Sequence, residues 1–168
     1  RTAAGVVDEI EFLFKEYGYS AIKIFDSTFT ADRGHVIQVC DEILKRKLNF
    51  PWECEIRIGT VDRELLDKMR SAGCYYVDVG VESGSQKVLN LMRKGITVEE
   101  AEETINMCHE TGLKIKAFFS FGHIGEYPED AEKTFQFIER NQPRISLVAC
   151  GAGVRIYPGT YLEAYART

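Results

Sequence analysis

The sequence predicts an α/β protein: a parallel sheet curled into part of a (β/α) barrel, with helices on its outside. Three observations predict it. Strand-like and helix-like segments alternate along all 168 residues without a break, the pattern of consecutive βα units. The strand segments alternate apolar and polar residues, whereas strands buried on both faces of a parallel sheet read as continuous hydrophobic runs. The strands also end in small, hydrogen-bonding residues, and α/β folds bind ligands beyond the carboxyl ends of their strands.

Taken in order, Val6, Ile10, Leu13 and Tyr17 recur at helical spacing, and Gly18 ends that helix. The segment SAIKIF reads as a strand. Val36, Cys40, Ile43 and Leu44 form the next helical stripe, and WECEIRI is a strand. DRELLDKMRSAG is a helix with Asp62 as N-cap and Gly73 as its stop. YYVDVGV is a strand, and SQKVLNLMRKG is a short helix that Ser85 starts and Gly95 closes. In TVEEAEETINMCHETG, Thr97 and Glu100 match a capping box. LKIKAFFSF is a strand, PEDAEKTFQFIERN a helix with Pro128 in its first turn, and ISLVACG the last strand. No linker or composition break divides residues 1–168, which read as a single domain fragment.

Composition narrows the function classes. Hydrophobic content of 45% and charged content of 28% are those of an ordinary globular protein. A net charge of -5 argues against a chain that tracks nucleic-acid phosphates. No apolar run reaches the roughly 20 residues a membrane helix needs. The five cysteines are scattered, with no C-x-x-C pair, which reads as reduced thiols of a cytoplasmic protein, each a small buried hydrophobe. No zinc-ligand spacing, P-loop or strand-following G-x-G-x-x-G is present.

The period of two places one polar set on one face of each strand. Glu53, Glu55 and Arg57 alternate with Cys54, Ile56 and Ile58. Lys23 lies between Ile22 and Ile24. Asp78 and Glu82 oppose Val77, Val79 and Val81, and Lys114, Lys116 and Ser120 alternate with Ile115, Ala117 and Phe119. On the last strand Ser146, Val148 and Cys150 oppose Ile145, Leu147 and Ala149. One face therefore packs under the helices, and the other lines a polar lumen, because buried charges must pair, meet water or meet a ligand. A solvated open face, or pairing of the lumen lysines and Arg57 with Glu53, Glu55, Asp78 and Glu82, also fits this pattern.

The strand ends supply ligand-suited groups: Asp26-Ser27-Thr28, then Arg57 and Gly59, then Glu82-Ser83-Gly84-Ser85, then Gly122 to Glu126, then Arg155 to Thr160. Glu82 is an acceptor for a ribose diol or an ammonium group, and Ser83 can donate or accept. His123 sits at a strand end, whereas His35 and His109 fall on helices. A lumen lysine, Lys23 or Lys116, would suit a Schiff-base hydrolase or aldolase.

The segments IKIFDSTFT, ECEIRIGTVDRELLDKMRSAGCYYVDVGVESGSQKVLNLMRKGIT and FFSFGHIGEYPED, followed by YPGT, resemble the radical SAM superfamily. The resemblance is to its cobalamin-associated and methylthiotransferase-like members. It implies a partial, TIM-like (β/α) barrel that holds S-adenosylmethionine and a [4Fe-4S] cluster, with cobalamin as a candidate second cofactor. It implies reductive cleavage of S-adenosylmethionine to a deoxyadenosyl radical, an unknown substrate, and an electron donor such as flavodoxin or ferredoxin. Matched position by position, Asp26, Ser27 and Thr28 would meet the methionine part and Arg57 its carboxylate. Glu82 and Ser83 would meet the ribose. Gly122, Gly125 and Glu126, with Arg155 and Tyr157, would flank the adenine. GHIGE stands where the family often has Gly-Leu-Pro-Gly-Glu. The family's C-x-x-x-C-x-x-C cluster loop does not occur here, so the chain is expected to lack the first strand and that loop, to bind no cluster and to be inactive alone. The alternative is a (β/α)-barrel ligand-binding module that is non-catalytic or does no radical chemistry.

Overall fold

The structure, a computed structural model, describes residues 1–154 and 156–167. Its strands are β1 (Ile22–Ile24), β2 (Trp52–Ile56), β3 (Cys74–Glu82), β4 (Lys114–Phe121) and β5 (Leu147–Ala152). They form one five-stranded sheet in sequential order, with every neighbouring pair parallel. The helices are α1 (Ala3–Tyr17), α2 (Arg33–Lys45), α3 (Arg63–Ser71), α4 (Gln86–Leu91), α5 (Val98–Glu110), α6 (Pro128–Asn141) and α7 (Tyr161–Ala166). Sequential order with a helix in each crossover is the arrangement of a barrel wall, here open between β1 and β5.

Local chemistry sets the helix ends. Asp62 accepts from the Leu65 N–H, and the Thr97–Glu100 capping box is formed on both sides. Gly18 closes α1 at φ 67° with its N–H on the Phe14 carbonyl. Asp32 caps α2 by accepting from the His35 N–H. α7 has no counterpart among the expected elements; Thr160 caps it by accepting from the Glu163 N–H.

Helix rotation departs from expectation in two places. On α1 the buried residues are Ala3, Val7 and Ile10, with Val6 and Phe14 packed against the core, while Tyr17 is exposed and stacks on Tyr19. On α2 the stripe is Val36, Val39, Cys40 and Ile43, and Leu44 points outward. A helix turns 100° per residue, so an apolar run wider than the contact leaves its flanking members in solvent.

The core lies between the helices and one face of the sheet. Cys54, Ile56, Val77, Val79, Val81, Ile115, Ala117 and Phe119 are all buried there. They meet Leu65, Leu66 and Met69 of α3, Ala101 and Ile105 of α5, and Phe137 of α6. Burying each large aliphatic side chain contributes about 1.5–3 kcal/mol relative to leaving it in water. Trp52, fully buried at the start of β2, donates its indole N–H to the Ala72 carbonyl at 2.8 Å and so ties the end of α3 to the sheet.

The edge strand β5 corrects the expected parity. Its register aligns Leu147 with Lys116, Ala149 with Phe118 and Gly151 with Ser120. The lumen side of β5 is therefore Leu147, Ala149 and Gly151, and Val148 and Cys150 share the face of Ala117 and Phe119. An edge strand of small residues, exposed along most of its length, carries no burial contrast from which its two faces can be told apart.

Candidate functional site in the lumen

Register builds the lumen in layers. Lys23, Glu53, Tyr76 and Lys114 align in the first, Glu55, Asp78 and Lys116 in the second, and Gly80 and Phe118 in the third. Three of the inner charges pair with one another. Lys23 Nζ lies 2.7 Å from Asp78 Oδ2 and 3.1 Å from Glu53 Oε1. The Asp78 hydrogen bond, outweighing partial burial, pushes the Lys23 ammonium up to about 12. A lysine held protonated this firmly is a poor Schiff-base amine.

Above these layers, at the carboxyl ends of the strands, lies a cavity of about 430 Å³, within the usual range for small-molecule sites. Ser27, Thr28, Glu55, Arg57, Asp78, Gly80, Glu82, Lys94 and Ser120 are among its walls. Glu82 enters it through a β-bulge. The β3–β4 register slips between Gly80 and Glu82, and Glu82 takes φ +70°, a left-handed backbone that side chains seldom adopt. Its carboxylate accepts from Lys94 Nζ at 3.0 Å and from Ser120 Oγ at 2.9 Å, and Ser120 Oγ lies 2.8 Å from His123 Nε2. A Cβ on Gly80 would stand 2.8 Å from Glu82 Oε1 and 3.2 Å from Lys94 Nζ, so a larger residue here would push the ends of this ion pair from their present positions. Arg57 donates to the Lys94 carbonyl at 3.2 Å, and its own N–H meets Thr30 Oγ1 at 3.3 Å. Lys94 thus brackets both the acidic and the basic member of the rim. It was absent from the expected set, because its approach comes from a return of the chain 12 residues after Glu82.

The other expected site residues divide. Ser27 and Thr28 line the cavity. Asp26 accepts from the Thr28 N–H at 3.0 Å and shapes the turn from outside it. Ser83 is corrected: it is fully buried, shares a 3.0 Å hydrogen bond with Thr134 of α6, and accepts from the Ser85 N–H. Ser85 stands at the N-cap of α4, yet its hydroxyl donates to Asp130 Oδ1 at 2.8 Å instead of capping. Between them, a Cβ on Gly84 would meet Phe137 Cβ at 2.6 Å and the Lys133 carbonyl at 2.7 Å. The Ser-Gly-Ser segment therefore docks against α6, and of Glu82-Ser83-Gly84-Ser85 only Glu82 faces the lumen.

Gly122, Gly125 and Glu126 lie beyond the cavity walls. Glu126 Oε2 accepts from the Gly122 N–H at 2.5 Å and the His123 N–H at 3.0 Å, so this carboxylate staples its own loop. Tyr157 is exposed and outside the cavity wall, and Arg155 lies outside the described residues. Cys40, Cys54, Cys74 and Cys108 are buried free thiols, and burial pushes Cys40 and Cys108 up to about 12; Cys150, against expectation, is exposed on β5.

The donor set fits S-adenosylmethionine. Arg57 keeps donors for a carboxylate, Glu82 keeps acceptor capacity for ribose hydroxyls, and Glu55 brings negative charge to the same cavity as a sulfonium. It does not fit an iron–sulfur cluster: among the described residues no three His, Cys, Asp or Glu side chains converge to hold a metal ion.

Comparison with known proteins follows this geometry. An uncharacterized methyltransferase of Pyrococcus horikoshii is 29% identical over 96% of this chain and 34% of its own length. The anaerobic magnesium-protoporphyrin IX monomethyl ester cyclase of Rubrivivax gelatinosus is 32% identical over 78% of this chain and 24% of its own. The chain thus spans about a quarter to a third of these relatives. Among solved structures, the radical S-adenosylmethionine methyltransferase TsrM of Kitasatospora setae, with cobalamin and a [4Fe-4S] cluster bound, superposes with a TM-score of 0.85 at 25% identity, over 95% of this chain and 30% of that one. The cobalamin-dependent S-adenosylmethionine radical enzyme OxsB shares the fold, with a TM-score of 0.74 at 20% identity over 99% of this chain and 25% of that one. The family model of the radical SAM superfamily matches residues 1–138, and the chain belongs to that superfamily.

Proposed function

We propose that the whole protein is an enzyme that reductively cleaves S-adenosylmethionine, and that this chain supplies the wall on which the cofactor rests. Superfamily membership implies S-adenosylmethionine and a [4Fe-4S] cluster as cofactors. A cluster held by thiolates other than those of the described residues would supply the electron for that cleavage, while this chain's Arg57, Glu55 and Glu82 would hold and orient the S-adenosylmethionine. The observation that carries the reading is the rim itself: Glu82 and Arg57, opposite charges both tied to Lys94, at the mouth of a cavity of about 430 Å³.

In this reading Arg57 binds the methionine carboxylate, and Ser27 and Thr28 stand beside it. Glu82 accepts from the ribose hydroxyls. Glu55 faces the positive end of the ligand. The paired Lys23, Asp78 and Glu53 below keep the floor polar, two carboxylates sharing one ammonium. The thiolates that hold the cluster come from outside these 168 residues, so the chain alone performs no radical chemistry. Cobalamin is a candidate second cofactor, supported by the likeness to TsrM. A flavodoxin or ferredoxin is the proposed electron donor, and the cytoplasm, where free thiols persist, the proposed compartment. Among the described residues no helix is long and apolar enough to cross a membrane.

Anaerobic reconstitution of the full-length protein with iron and sulfide, followed by reduction, tests the reading. Formation of 5′-deoxyadenosine from S-adenosylmethionine is expected, with none from the 168-residue chain. Binding without turnover would instead identify a non-catalytic ligand-binding module. A full-length protein with no reducible cluster would overturn the proposal.

A further inference from the structure

Ser120 Oγ is shared between two partners. It donates to Glu82 Oε2 at 2.9 Å and lies 2.8 Å from His123 Nε2. An ionised carboxylate only accepts, and a serine hydroxyl has one proton. With that proton committed to Glu82, Ser120 Oγ meets His123 through a lone pair, so His123 Nε2 carries a hydrogen and donates it. The bonds therefore run in one direction, from His123 to Ser120 to Glu82, and Lys94 Nζ closes the other carboxylate oxygen at 3.0 Å.

Glu82 depends on this restraint. Its backbone sits at φ +70°, in a region that persists where the surroundings over-determine it. Each carboxylate oxygen has about two acceptor sites. Ser120 takes one on Oε2 and Lys94 takes one on Oε1, which leaves acceptor capacity on both oxygens of a carboxylate that lines the cavity. Two such oxygens suit two neighbouring hydroxyls. His123 is itself fixed, because its backbone N–H is held by Glu126 Oε2 at 3.0 Å.

We propose that His123 is a positioning residue for recognition of a vicinal diol by Glu82: its Nε2–H orients the Ser120 hydroxyl, and that hydroxyl sets the carboxylate for the ribose of an adenosyl ligand. This rests on the reading of Glu82 as the ribose acceptor. Gln reproduces a donor near the Nε2 position, and Leu removes it.

The test compares wild type, His123→Gln and His123→Leu in the full-length protein, by affinity for S-adenosylmethionine and for its 2′,3′-dideoxyribose analogue. Wild type is expected to prefer the diol by on the order of tenfold, the size of hydrogen bonding to a charged group. In His123→Leu the preference falls to about threefold or less, and His123→Gln restores most of it. A merely structural role would weaken both ligands alike and leave the ratio unchanged. Selective ¹⁵N-histidine labelling of the apoprotein gives a second readout: the His123 signal, assigned by its loss in His123→Gln, should report a protonated Nε2. An unprotonated Nε2, or an unchanged ratio in His123→Leu, overturns the proposal and leaves ribose recognition standing. A wild type that does not prefer the diol overturns the ribose reading, and the role of His123 with it, whatever the ¹⁵N spectrum shows.

Discussion

Glu82 and Ser83 are consecutive, polar and at the end of the same strand, yet they belong to different systems. Glu82 turns into the lumen through a bulge, and its partners Lys94 and Ser120 leave it acceptor capacity toward the cavity. Ser83 turns the other way, is fully buried, and spends its hydroxyl on Thr134 and the Ser85 N–H. The difference lies in what each side leaves unsatisfied. On the helix side the Ser83 and Ser85 hydroxyls and the Gly84 and Ser85 N–H groups have protein partners, so the turn contributes to stability. On the lumen side the carboxylate is held but not saturated, which is the condition for binding something else.

The largest expected effect breaks the helix side. Gly84→Ala puts a methyl group within 3.0 Å of Phe137 Cβ, the Lys133 carbonyl and Thr134 Cα. Two of those three are backbone atoms of α6 and cannot swing away. Overpacking of this kind costs about 3 kcal/mol, a fall in Tm of roughly 10 °C for a domain of this size. Thermal and urea unfolding would measure it. An unchanged midpoint would mean that the turn and α6 are not locked together.

A smaller effect, and one with a pH signature, comes from Asp130. Lys87 Nζ at 2.6 Å, the Ser85 hydroxyl at 2.8 Å and the Tyr127 N–H at 3.2 Å all favour its carboxylate. The Lys87 hydrogen bond, then that of Ser85, lower it from the ordinary 3.8 to about 2. A group whose folded pKa is depressed adds stability that is present above its unfolded pKa and is lost as pH falls through its folded one. Its contribution is therefore full above about pH 4 and disappears toward pH 2. Asp130→Asn should lower Tm at neutral pH and flatten its fall between those limits, while leaving the slope at higher pH unchanged. A variant whose acid limb matches wild type would show that Asp130 does not hold the turn.

How much of this was legible in the sequence follows from the same contrast. The strands and most helix ends could be read, because they depend on short-range chemistry: the period of two in WECEI and YYVDV, the Asp62 cap, the Thr97–Glu100 box. The lumen placement of Lys23, Glu53, Glu55 and Asp78 followed from parity alone. Ser83 reads with Glu82 as one polar strand end, although alternation alone sets it on the face of Val79 and Val81, where the structure buries it against Thr134. Parity gave no signal on β5, an edge strand of small residues. That one oxygen of Glu126 is taken up by the Gly122 and His123 N–H groups has no sequence signal, because a carboxylate in a glycine-rich loop looks the same whatever it faces. Lys94 was missed for a related reason: LMRKG is an ordinary helix end, and its meaning arises only when the chain folds back over Gly80 and Arg57.

The smallest effect on stability should come from the lumen side, and it sharpens the comparison most. Glu82→Gln keeps an acceptor for the Ser120 hydroxyl and nearly the same volume. It gives up the ion pair with Lys94, in which both side chains are about a quarter exposed, at 26% and 24%. Pairs with such access to water contribute little, so the stability change should stay under about 1 kcal/mol. Affinity for S-adenosylmethionine should nevertheless fall by about tenfold, since hydrogen bonds to a charged acceptor are replaced by weaker ones to an amide. Gly84→Ala should show the reverse: a large loss of stability, with affinity restored once the folded fraction is accounted for. Unfolding curves and ligand titrations on the same two variants separate the cases. If Glu82→Gln destabilised the protein as much as Gly84→Ala, the carboxylate would be a structural tie like Ser83, and the bulge that carries it would no longer mark a ligand site.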